Sequence, residues 1–121
     1  MVASKKTVSR PRPLGIPKRF DVFLVNLDPT IGAEITKTRP CVVVSPDEAN
    51  AYIRTVVVAP LTTGSHTYPT RVPCTFQRRA GHVVIDQLRT VDRVRLVRKL
   101  GRLDTSVQTA VLQTLADFFA P

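Results

Sequence analysis

The residues best suited to chemistry in this 121-residue chain lie where apolar segments begin or end. An arginine guanidinium binds phosphate oxygens in a planar fork, a threonine hydroxyl donates a hydrogen bond to the same oxygens, and a carboxylate accepts a proton. Strand ends hold such groups on a rigid frame, where binding and catalytic residues are commonly placed. The candidate site residues with this position are therefore Glu34, Arg39, Thr62, Thr63, Asp86, Gln87 and Arg89.

Two of these candidates belong to the segment EITKTRPCVVVSP, residues 34–46. Pro40 disfavours a helical conformation at Arg39 and has no N–H to donate to a strand ladder. The valines that follow Cys41 predict a buried strand. We therefore expect Glu34 and Arg39 to lie on a loop that a rigid strand holds in place.

Each candidate also has an ordinary structural interpretation, which the residues alone leave open. Thr62 ends the apolar segment RTVVVAPL, where a hydroxyl often bonds the neighbouring backbone. Arg39 and Asp86 carry opposite charges and could form a structural salt bridge. Composition by itself does not separate a functional site from these two arrangements.

The two histidines and two cysteines show no catalytic or metal-binding spacing. His66 lies in the polar loop TTGSHTYP and His82 opens a predicted strand; neither has a partner nearby in sequence, so both are interpreted as solvated. Cys41 and Cys74 stand alone in apolar, strand-like runs and are interpreted as small core residues. GxGxxG, Walker, HExxH and GxSxG motifs are all absent, and we expect neither a metal nor a cofactor.

Positive charge is concentrated near the N-terminus. Of the 18 Lys and Arg residues behind the net charge of +9, six fall within residues 1–19, where there is no acid. Residues 1–18 also contain three prolines and are predicted to form a flexible basic tail, either a nucleic-acid-binding arm or a solubilising extension. The other 12 basic and 9 acidic residues make the folded part mildly basic, which suits a partner bound at one local site, such as RNA.

The chain shows no signal for a membrane or for secretion. No apolar run approaches the roughly 20 residues that span a bilayer. No apolar h-region follows the N-terminal charges. Together with the isolated cysteines, these features favour a cytoplasmic protein.

Seven apolar, strand-like segments follow the tail and predict one domain over residues 19–121. Turn-forming residues separate the segments, with a turn or short helix over PDEANAY and a turn at QRRAG. Short strands at this spacing predict a compact antiparallel barrel or a strongly curved sheet. The segments are 20–27, 41–45, 54–61, 71–76, 82–86, 88–92 and 97–103.

The last segment, DTSVQTAVLQTLADFFA, has the period of a helix. Thr105 and Gln108 have the spacing of a capping box, and Asp104 suits the positive end of a helix. An apolar stripe follows, and we expect it to pack on the sheet as part of the core. The stripe consists of Val107, Val111, Leu112, Leu115, Phe118 and Phe119.

Three segments resemble the MazF/PemK (PemK-like) toxins of bacterial toxin-antitoxin pairs. They are VNLDPTIGAEITKTRPCVVVSPD, TVVVAPLTT and VVIDQLRTVDRVRLVRKLGRLD, and they carry GxE followed by RP, then APLTT, then DQxRTxD. The motifs occur in the family's order. The likeness runs from about residue 20 to the C-terminus and leaves out the basic tail, residues 1–18.

The resemblance implies a mainly β fold with a C-terminal helix, a small SH3-like barrel or curved antiparallel sheet of the PemK-like toxin type. It implies a homodimer that binds single-stranded RNA across its dimer face, and an acidic antitoxin that covers the same groove. The implied activity is growth-arresting, metal-independent and sequence-selective cleavage of mRNA, without a cofactor. Some members of the wider superfamily instead poison DNA gyrase on the same fold.

The motifs carry over residue by residue. Arg39 and Thr62 match the family's catalytic arginine and threonine, and Glu34 matches the acid of its GxE loop. Asp86 matches an aspartate implicated in some members, but Val84 stands where some relatives have an arginine, which shifts weight to Arg39. Further candidates for catalysis or RNA binding are Thr63, Asp86, Gln87 and Arg89.

This assignment fits the chemistry of RNA cleavage. The 2′-OH beside the scissile phosphate attacks, and the products are a 2′,3′-cyclic phosphate and a 5′-OH. Arg39 and Thr62 would stabilise the charge on the pentavalent phosphorus, while Glu34 would either take the proton or hold Arg39. The alternatives are a non-enzymatic poison of DNA gyrase and an RNA-binding module without cleavage, neither of which needs both Arg39 and Thr62.

Overall fold

The computed structural model describes residues 15–64 and 67–121; residues 1–14 of the predicted tail and His66 therefore lie outside the described residues. Helices are α1 (Asp47–Asn50) and α2 (Thr105–Phe119), with short 3-10 turns at Ile85–Gln87 and Arg93–Arg95. Within the described ranges, no helix combines the length and apolar character needed to cross a membrane. The strands are β1 (Asp21–Asn26), β2 (Thr38–Val43), β3 (Thr55–Thr62), β4 (Arg71–Phe76), β5 (Arg79–Val84), β6 (Arg89–Asp92) and β7 (Leu96–Arg102).

The strands form one antiparallel sheet in the order β4-β5-β3-β2-β1-β7, with β6 alongside β3. Strand β3 is the centre of the fold, because it pairs with β2 on one side and with β6 and then β5 on the other. Strands β4 and β7 end the order without joining each other, so the described strands form a curved open sheet. The predicted fold class is confirmed in this form, a mainly β domain with a C-terminal helix.

Successive side chains of a strand point to opposite sides of the sheet. The inner strands carry apolar side chains at both sets of positions, so the sheet has an apolar cluster on each face. One apolar cluster is covered by α2 and includes Val22, Val42, Ala59, Val83 and Val111. The second lies on the opposite face and includes Phe23, Val25, Cys41, Val43 and Val58. This two-sided core gives the strand ends a rigid base, and it confirms Cys41 as a buried core residue.

Helix α2 packs on the sheet with only part of its predicted stripe. Val111 is fully buried, and Val107 and Leu115 are partly buried against the first cluster, as predicted. Successive helical residues are about 100° apart. The predicted stripe includes the adjacent pairs 111–112 and 118–119, so it is wider than the side of the helix that the sheet covers. The prediction that the whole stripe is core is therefore wrong. The exposed members are Leu112 at 40%, Phe118 at 44% and Phe119 at 69%.

The N-terminus of α2 is not held by the predicted capping box. The helix begins at Thr105, which makes Asp104 the N-cap residue, and the Asp104 side chain makes no capping hydrogen bond. The side chain of Gln108 instead donates to the backbone oxygen of Leu103 at 2.8 Å. A capping box needs Thr105 itself at the N-cap position, so the prediction fails because the helix starts one residue early.

Strand β2 begins at Thr38 and therefore includes Arg39 and Pro40. Arg39 pairs with a residue of β1, so the prediction that it lies on a loop is wrong. Proline is accommodated because its fixed φ is compatible with extended backbone and because the ladder with β3 begins only at Cys41. Glu34 lies on the loop between β1 and β2, as predicted.

The hairpin between β4 and β5 is tighter than the predicted turn over QRRAG. Gln77 and Arg78 alone form its loop, with positive φ values of 51° and 66°, which is the two-residue turn that matches the twist of paired strands. Strand β5 therefore begins earlier than predicted, and His82 lies inside it rather than at its start. Asp86 and Gln87 follow in a 3-10 turn, so the prediction that they end a strand is wrong.

Candidate active site

Arg39 and Thr62 meet at one small cavity. The ladder between β2 and β3 pairs Cys41 with Pro60, and the same register carried two residues further puts Arg39 opposite Thr62. Both residues line a cavity of about 150 Å³, together with Thr63. Hydrogen-bonded neighbouring strands therefore hold together two candidates that are distant in sequence.

The guanidinium of Arg39 is exposed and keeps most of its donors. Its Nε donates to the carbonyl oxygen of Thr36 at 3.0 Å, which orients the group. Within the part of the chain that the structure describes, Arg39 forms no ion pair, and the alternative partner Asp86 binds Arg71 instead. The remaining N–H groups of the Arg39 fork are therefore available to an anion.

Thr62 lies at the end of β3 with its hydroxyl in a defined turn. Its Oγ1 accepts a hydrogen bond from the backbone N–H of Gly64 at 3.1 Å, the arrangement expected of a strand-end hydroxyl. A hydroxyl has one hydrogen to donate and two acceptor positions. The structural role of Thr62 therefore leaves its hydrogen for a ligand in the cavity.

Asp86 is held by two neighbours rather than presented to a substrate. Its Oδ1 accepts from the hydroxyl of Thr70 at 2.9 Å, and its two oxygens accept from the Arg71 guanidinium at 3.3 and 3.4 Å. Burial alone would raise the pKa of Asp86, but the hydrogen bonds from Arg71 and Thr70 outweigh burial and hold the pKa below the ordinary value of 3.8. Asp86 is therefore a weak base. Its hydrogen bonds with Thr70 and Arg71 connect the 3-10 turn to the start of β4.

A larger cleft of about 640 Å³ gathers the other candidates, and Glu34, Asp86, Gln87 and Arg89 all line it. Two of them hold the loop between β1 and β2. The side-chain oxygen of Gln87 accepts from the backbone N–H of Ile35 at 2.8 Å, and the Arg89 guanidinium donates to the backbone oxygen of Leu27. The wall of this cleft is thereby fixed against the 3-10 turn and β6.

Of the three residues matched to the family's catalytic motif, Arg39, Thr62 and Glu34, only Glu34 lies outside the smaller cavity. Its carboxylate is exposed on the loop, and Oε1 accepts from the backbone N–H of Ile31 at 2.9 Å. The cleft that Glu34 lines and the smaller cavity share no lining residue. The seven candidates thus divide between two depressions.

Neither cysteine is set up for chemistry, and no metal site was found among residues 15–64 and 67–121. Burial raises the pKa of the Cys41 thiol to about 12, outweighing the nearby cations Arg89 and Arg39. Burial also raises the pKa of Cys74. In these ranges no three His, Cys, Asp or Glu side chains are grouped as a metal would require.

Two residues with evident roles escaped the sequence interpretation. His82 is partly buried, and its Nδ1 lies 3.1 Å from the backbone oxygen of Gly64, so the prediction that it is solvated is wrong. Arg71 stacks over the ring of Tyr68 at 4.8 Å while it binds Asp86. The contacts of His82 with Gly64 and of Arg71 with Asp86 join residues 18 and 15 apart in sequence, and only the β3–β5 and β4–β5 registers could have indicated them.

A curved antiparallel sheet whose neighbouring strands bring an arginine and a threonine to one cavity defines a small β domain with a candidate phosphate site. The family model described as "PemK-like, MazF-like toxin of type II toxin-antitoxin system" matches residues 18–119. The chain therefore belongs to the PemK-like, MazF-like toxin family, as its motifs predicted.

Known proteins agree with this placement. Endoribonuclease EndoA of Bacillus subtilis (strain 168) is 32% identical over 106 residues, which are 83% of this chain and 91% of the relative. The crystal structure of MazF (Form-I) from Deinococcus radiodurans superimposes with a TM-score of 0.75 at 26% identity, over 85% of this chain and 96% of that one. An endoribonuclease from a mycobacterial species, solved with its cognate antitoxin, gives a TM-score of 0.71 at 25% identity, over 84% and 92% of the two chains.

Proposed function

We propose that this protein is the toxin of a toxin-antitoxin pair and acts as a sequence-selective endoribonuclease on single-stranded mRNA. The observation that carries the proposal is the cavity shared by Arg39 and Thr62. A free guanidinium and a hydroxyl donor on one wall match the needs of a phosphate that gains negative charge during reaction. The family of the chain supports the same activity.

Cleavage proceeds by attack of the RNA's own 2′-OH. The 2′ oxygen loses its proton, forms a bond to phosphorus, and the bond from phosphorus to the 5′ oxygen breaks. The departing 5′ oxygen takes up a proton, which leaves a 2′,3′-cyclic phosphate and a 5′-OH. Arg39 binds the non-bridging oxygens in its fork and Thr62 donates to one of them, so charge on the phosphorane is stabilised without a metal ion.

Glu34 is the general base in this proposal. Its exposed carboxylate has an oxygen, Oε2, without a hydrogen-bond partner among the described residues, whereas Oε1 is used by the N–H of Ile31. Arg39 and Glu34 form no ion pair in the described ranges, which disfavours a role for Glu34 as the support of Arg39. The loop that carries Glu34 lines the cleft, and Arg39, which lines the cavity that would hold the phosphate, donates to Thr36 of the same loop.

RNA bases on either side of the cut are bound by residues of the segments 28–38 and 63–70, the first of which contains the loop between β1 and β2. Thr63 lines the smaller cavity, and Gln87 and Arg89 line the larger cleft. Gln87 and Arg89 also hold the first loop, so they act on RNA both directly and through the shape of that loop. Asp86 contributes by fixing the 3-10 turn.

The protein partner is an acidic antitoxin that competes with RNA. Arg39 and Arg79 both line the smaller cavity, so an acidic peptide laid across it would neutralise the same cations that bind phosphate. The similar mycobacterial endoribonuclease was solved in complex with its cognate antitoxin, which supports such a partner here.

We also propose a homodimer, and the strand β1 (Asp21–Asn26) is not the surface through which it forms. Phe23 and Val25 of that strand are buried in the core of the single chain and are not free to meet a second copy. Among the described residues, Leu112, Phe118 and Phe119 of α2 are exposed, and the rings of Phe118 and Phe119 pack edge to face at 5.1 Å. This aromatic end of α2 is the surface that a second copy would cover.

One experiment separates this proposal from a non-enzymatic poison of DNA gyrase. Pure protein is incubated with a long single-stranded RNA in excess chelator, and the ends of the products are mapped. We expect cuts at a few sequences, cyclic phosphate ends, and no cut where the site carries a single 2′-deoxy nucleotide. Intact RNA together with inhibition of gyrase supercoiling would favour the poison, and recovery of cutting only on addition of magnesium would rule out the metal-free mechanism.

A further inference from the structure

The backbone that carries Thr62 is held from the neighbouring strand by Gly81 and His82. Thr62 of β3 and His82 of β5 are direct cross-strand partners, so their side chains lie on the same face of the sheet. The ring of His82 places Nδ1 3.1 Å from the backbone oxygen of Gly64. A carbonyl oxygen only accepts hydrogen bonds, so Nδ1 carries the proton and donates it.

A second hydrogen bond continues from Gly64 to the reacting group. The Gly64 N–H donates to Oγ1 of Thr62 at 3.1 Å. Gly64 is therefore bound at its carbonyl oxygen by His82 and at its amide nitrogen by Thr62, and these two groups lie on the two sides of its Cα. Fixing Gly64 fixes which acceptor position of the Thr62 hydroxyl is occupied, and hence where its hydrogen can point.

Gly81 reinforces the same segment by close approach. A Cβ at position 81 would lie 1.9 Å from the backbone oxygen of Thr62, 2.9 Å from its carbonyl carbon and 3.1 Å from Cα of Thr63. No side chain fits in this space, so β5 contacts the backbone of β3 directly beside the candidate catalytic hydroxyl. The segment from Thr62 to Gly64 thus has Gly81 against its start and the His82 ring at its end.

We infer that His82 is a positioning residue for Thr62, which acts through Gly64 to aim the Thr62 hydroxyl at the phosphate. The inference rests on the proposed function, because it assigns Thr62 a role in the chemical step. His82 itself does not line the cavity of Arg39 and Thr62. It therefore touches no reacting atom, and its effect is expected in the rate of cleavage rather than in RNA binding.

Three substitutions at position 82 test the hydrogen bond itself. In His82→Asn the amide nitrogen takes nearly the place of Nδ1, in His82→Gln it lies one atom too far, and in His82→Leu there is no donor. We expect His82→Asn to keep a single-turnover rate close to that of the parent, and the other two to lose about tenfold. Affinity for an uncleavable 2′-deoxy RNA should be unchanged in all three. Equal rates in His82→Leu and the parent, or an equal loss in His82→Asn and His82→Leu, would overturn the inference.

A double-mutant cycle tests whether His82 acts through Thr62. In a Thr62→Val background there is no hydroxyl to aim, so His82→Leu should cause no further loss of rate. A loss of the same size in both backgrounds would show that His82 affects only general stability, and the inference would be wrong.

A readout that does not depend on cleavage distinguishes this inference from the proposed function. Hydrogen exchange of the Gly64 amide should quicken in His82→Leu and stay slow in His82→Asn, because only the second variant keeps the donor that holds the peptide. Unchanged Gly64 exchange in His82→Leu would overturn the inference even if the parent cuts RNA. Failure of the parent to cut RNA, with the expected exchange pattern, would count against the proposed function alone.

Discussion

Arg39 and Thr62 come from neighbouring strands and line the same cavity of about 150 Å³. The guanidinium of Arg39 forms no ion pair among the described residues. The hydroxyl of Thr62 accepts from Gly64 and keeps its own hydrogen to donate. The β2–β3 register that continues from the pair of Cys41 and Pro60 sets their separation. Neither side chain needs a large movement to reach a phosphate in this cavity.

Removing either phosphate donor should slow the chemical step. Arg39→Lys keeps the charge but loses the planar fork, and Thr62→Val keeps the shape but loses the hydroxyl. Each should lower the single-turnover cleavage rate by about 100-fold or more, with a much smaller effect on binding of 2′-deoxy RNA. Matched controls are Arg54→Lys, at an exposed ion pair, and Thr55→Val, at the other end of β3. If both site variants cut at the parent rate, the assignment is wrong.

Glu34→Gln should slow cleavage and change its dependence on pH. The amide is close in shape to the carboxylate but cannot take up the proton of the 2′-OH. If Glu34 is the base, the acid limb of the pH–rate profile should disappear in the variant. A uniformly slower rate with an unchanged profile would instead indicate that Glu34 supports the loop or Arg39. Glu48→Gln, at an exposed acid of α1, is the control.

Asp86→Asn should make stability less sensitive to acid. Burial opposes the charged form of Asp86, yet the hydrogen bonds from Arg71 and Thr70 hold its pKa below the ordinary value of 3.8. A pKa that is lower in the folded state stabilises the fold above the ordinary value, and this contribution is lost as the pH falls through the folded-state pKa. The Tm of the parent should exceed that of Asp86→Asn at pH 7, and the difference should shrink from about pH 5 to about pH 3. A constant difference across this range would contradict the assignment.

Polar substitution at the end of α2 should produce monomers. Full burial of one Phe side chain contributes about 1.5–3 kcal/mol, so replacing both Phe118 and Phe119 by Ser should weaken a dimer by orders of magnitude. Light scattering at micromolar concentration measures the mass. The control is Tyr52→Ser, because Tyr52 is exposed elsewhere on the surface. A parent protein that is already monomeric would contradict the proposed assembly.

Deleting residues 1–14 should leave cleavage intact and weaken RNA binding only at low salt. The deletion removes Lys5, Lys6, Arg10 and Arg12, and contacts of such residues with phosphate diminish as salt rises. The shortened chain keeps Pro17, which is buried, and Lys18, whose backbone N–H donates to the Asp21 carboxylate at 2.9 Å. Affinity measured at two salt concentrations tests the effect, with a full-length variant carrying Gln at the four basic positions as control. Loss of folding on deletion would place the domain boundary earlier than proposed.

Local patterns in the sequence were enough to predict most of the elements. Alternating and continuous apolar runs predicted all seven strands, and β4 agrees at both ends. The helical period predicted α2, and the motifs around Arg39 and Thr62 identified the family. These features succeed because they depend on neighbours within a few residues, where backbone preference and burial act directly. The two-residue turn at Gln77 and Arg78 was missed because neither residue is a usual signal for positive φ.

Only the tertiary structure decided which distant groups meet. The binding of Asp86 by Arg71, the contact of His82 with Gly64 and the exposure of Phe118 and Phe119 all depend on strand register and on how much of α2 the sheet covers. A change of one residue in strand register would turn Arg71 and His82 to the other face of the sheet. Register follows from the combined packing of both core clusters, and no single segment of the sequence contains that information. The sequence by itself therefore determined the elements and the candidate residues, while the fold decided that Arg39 and Thr62 share one cavity and that Glu34 lines a separate cleft.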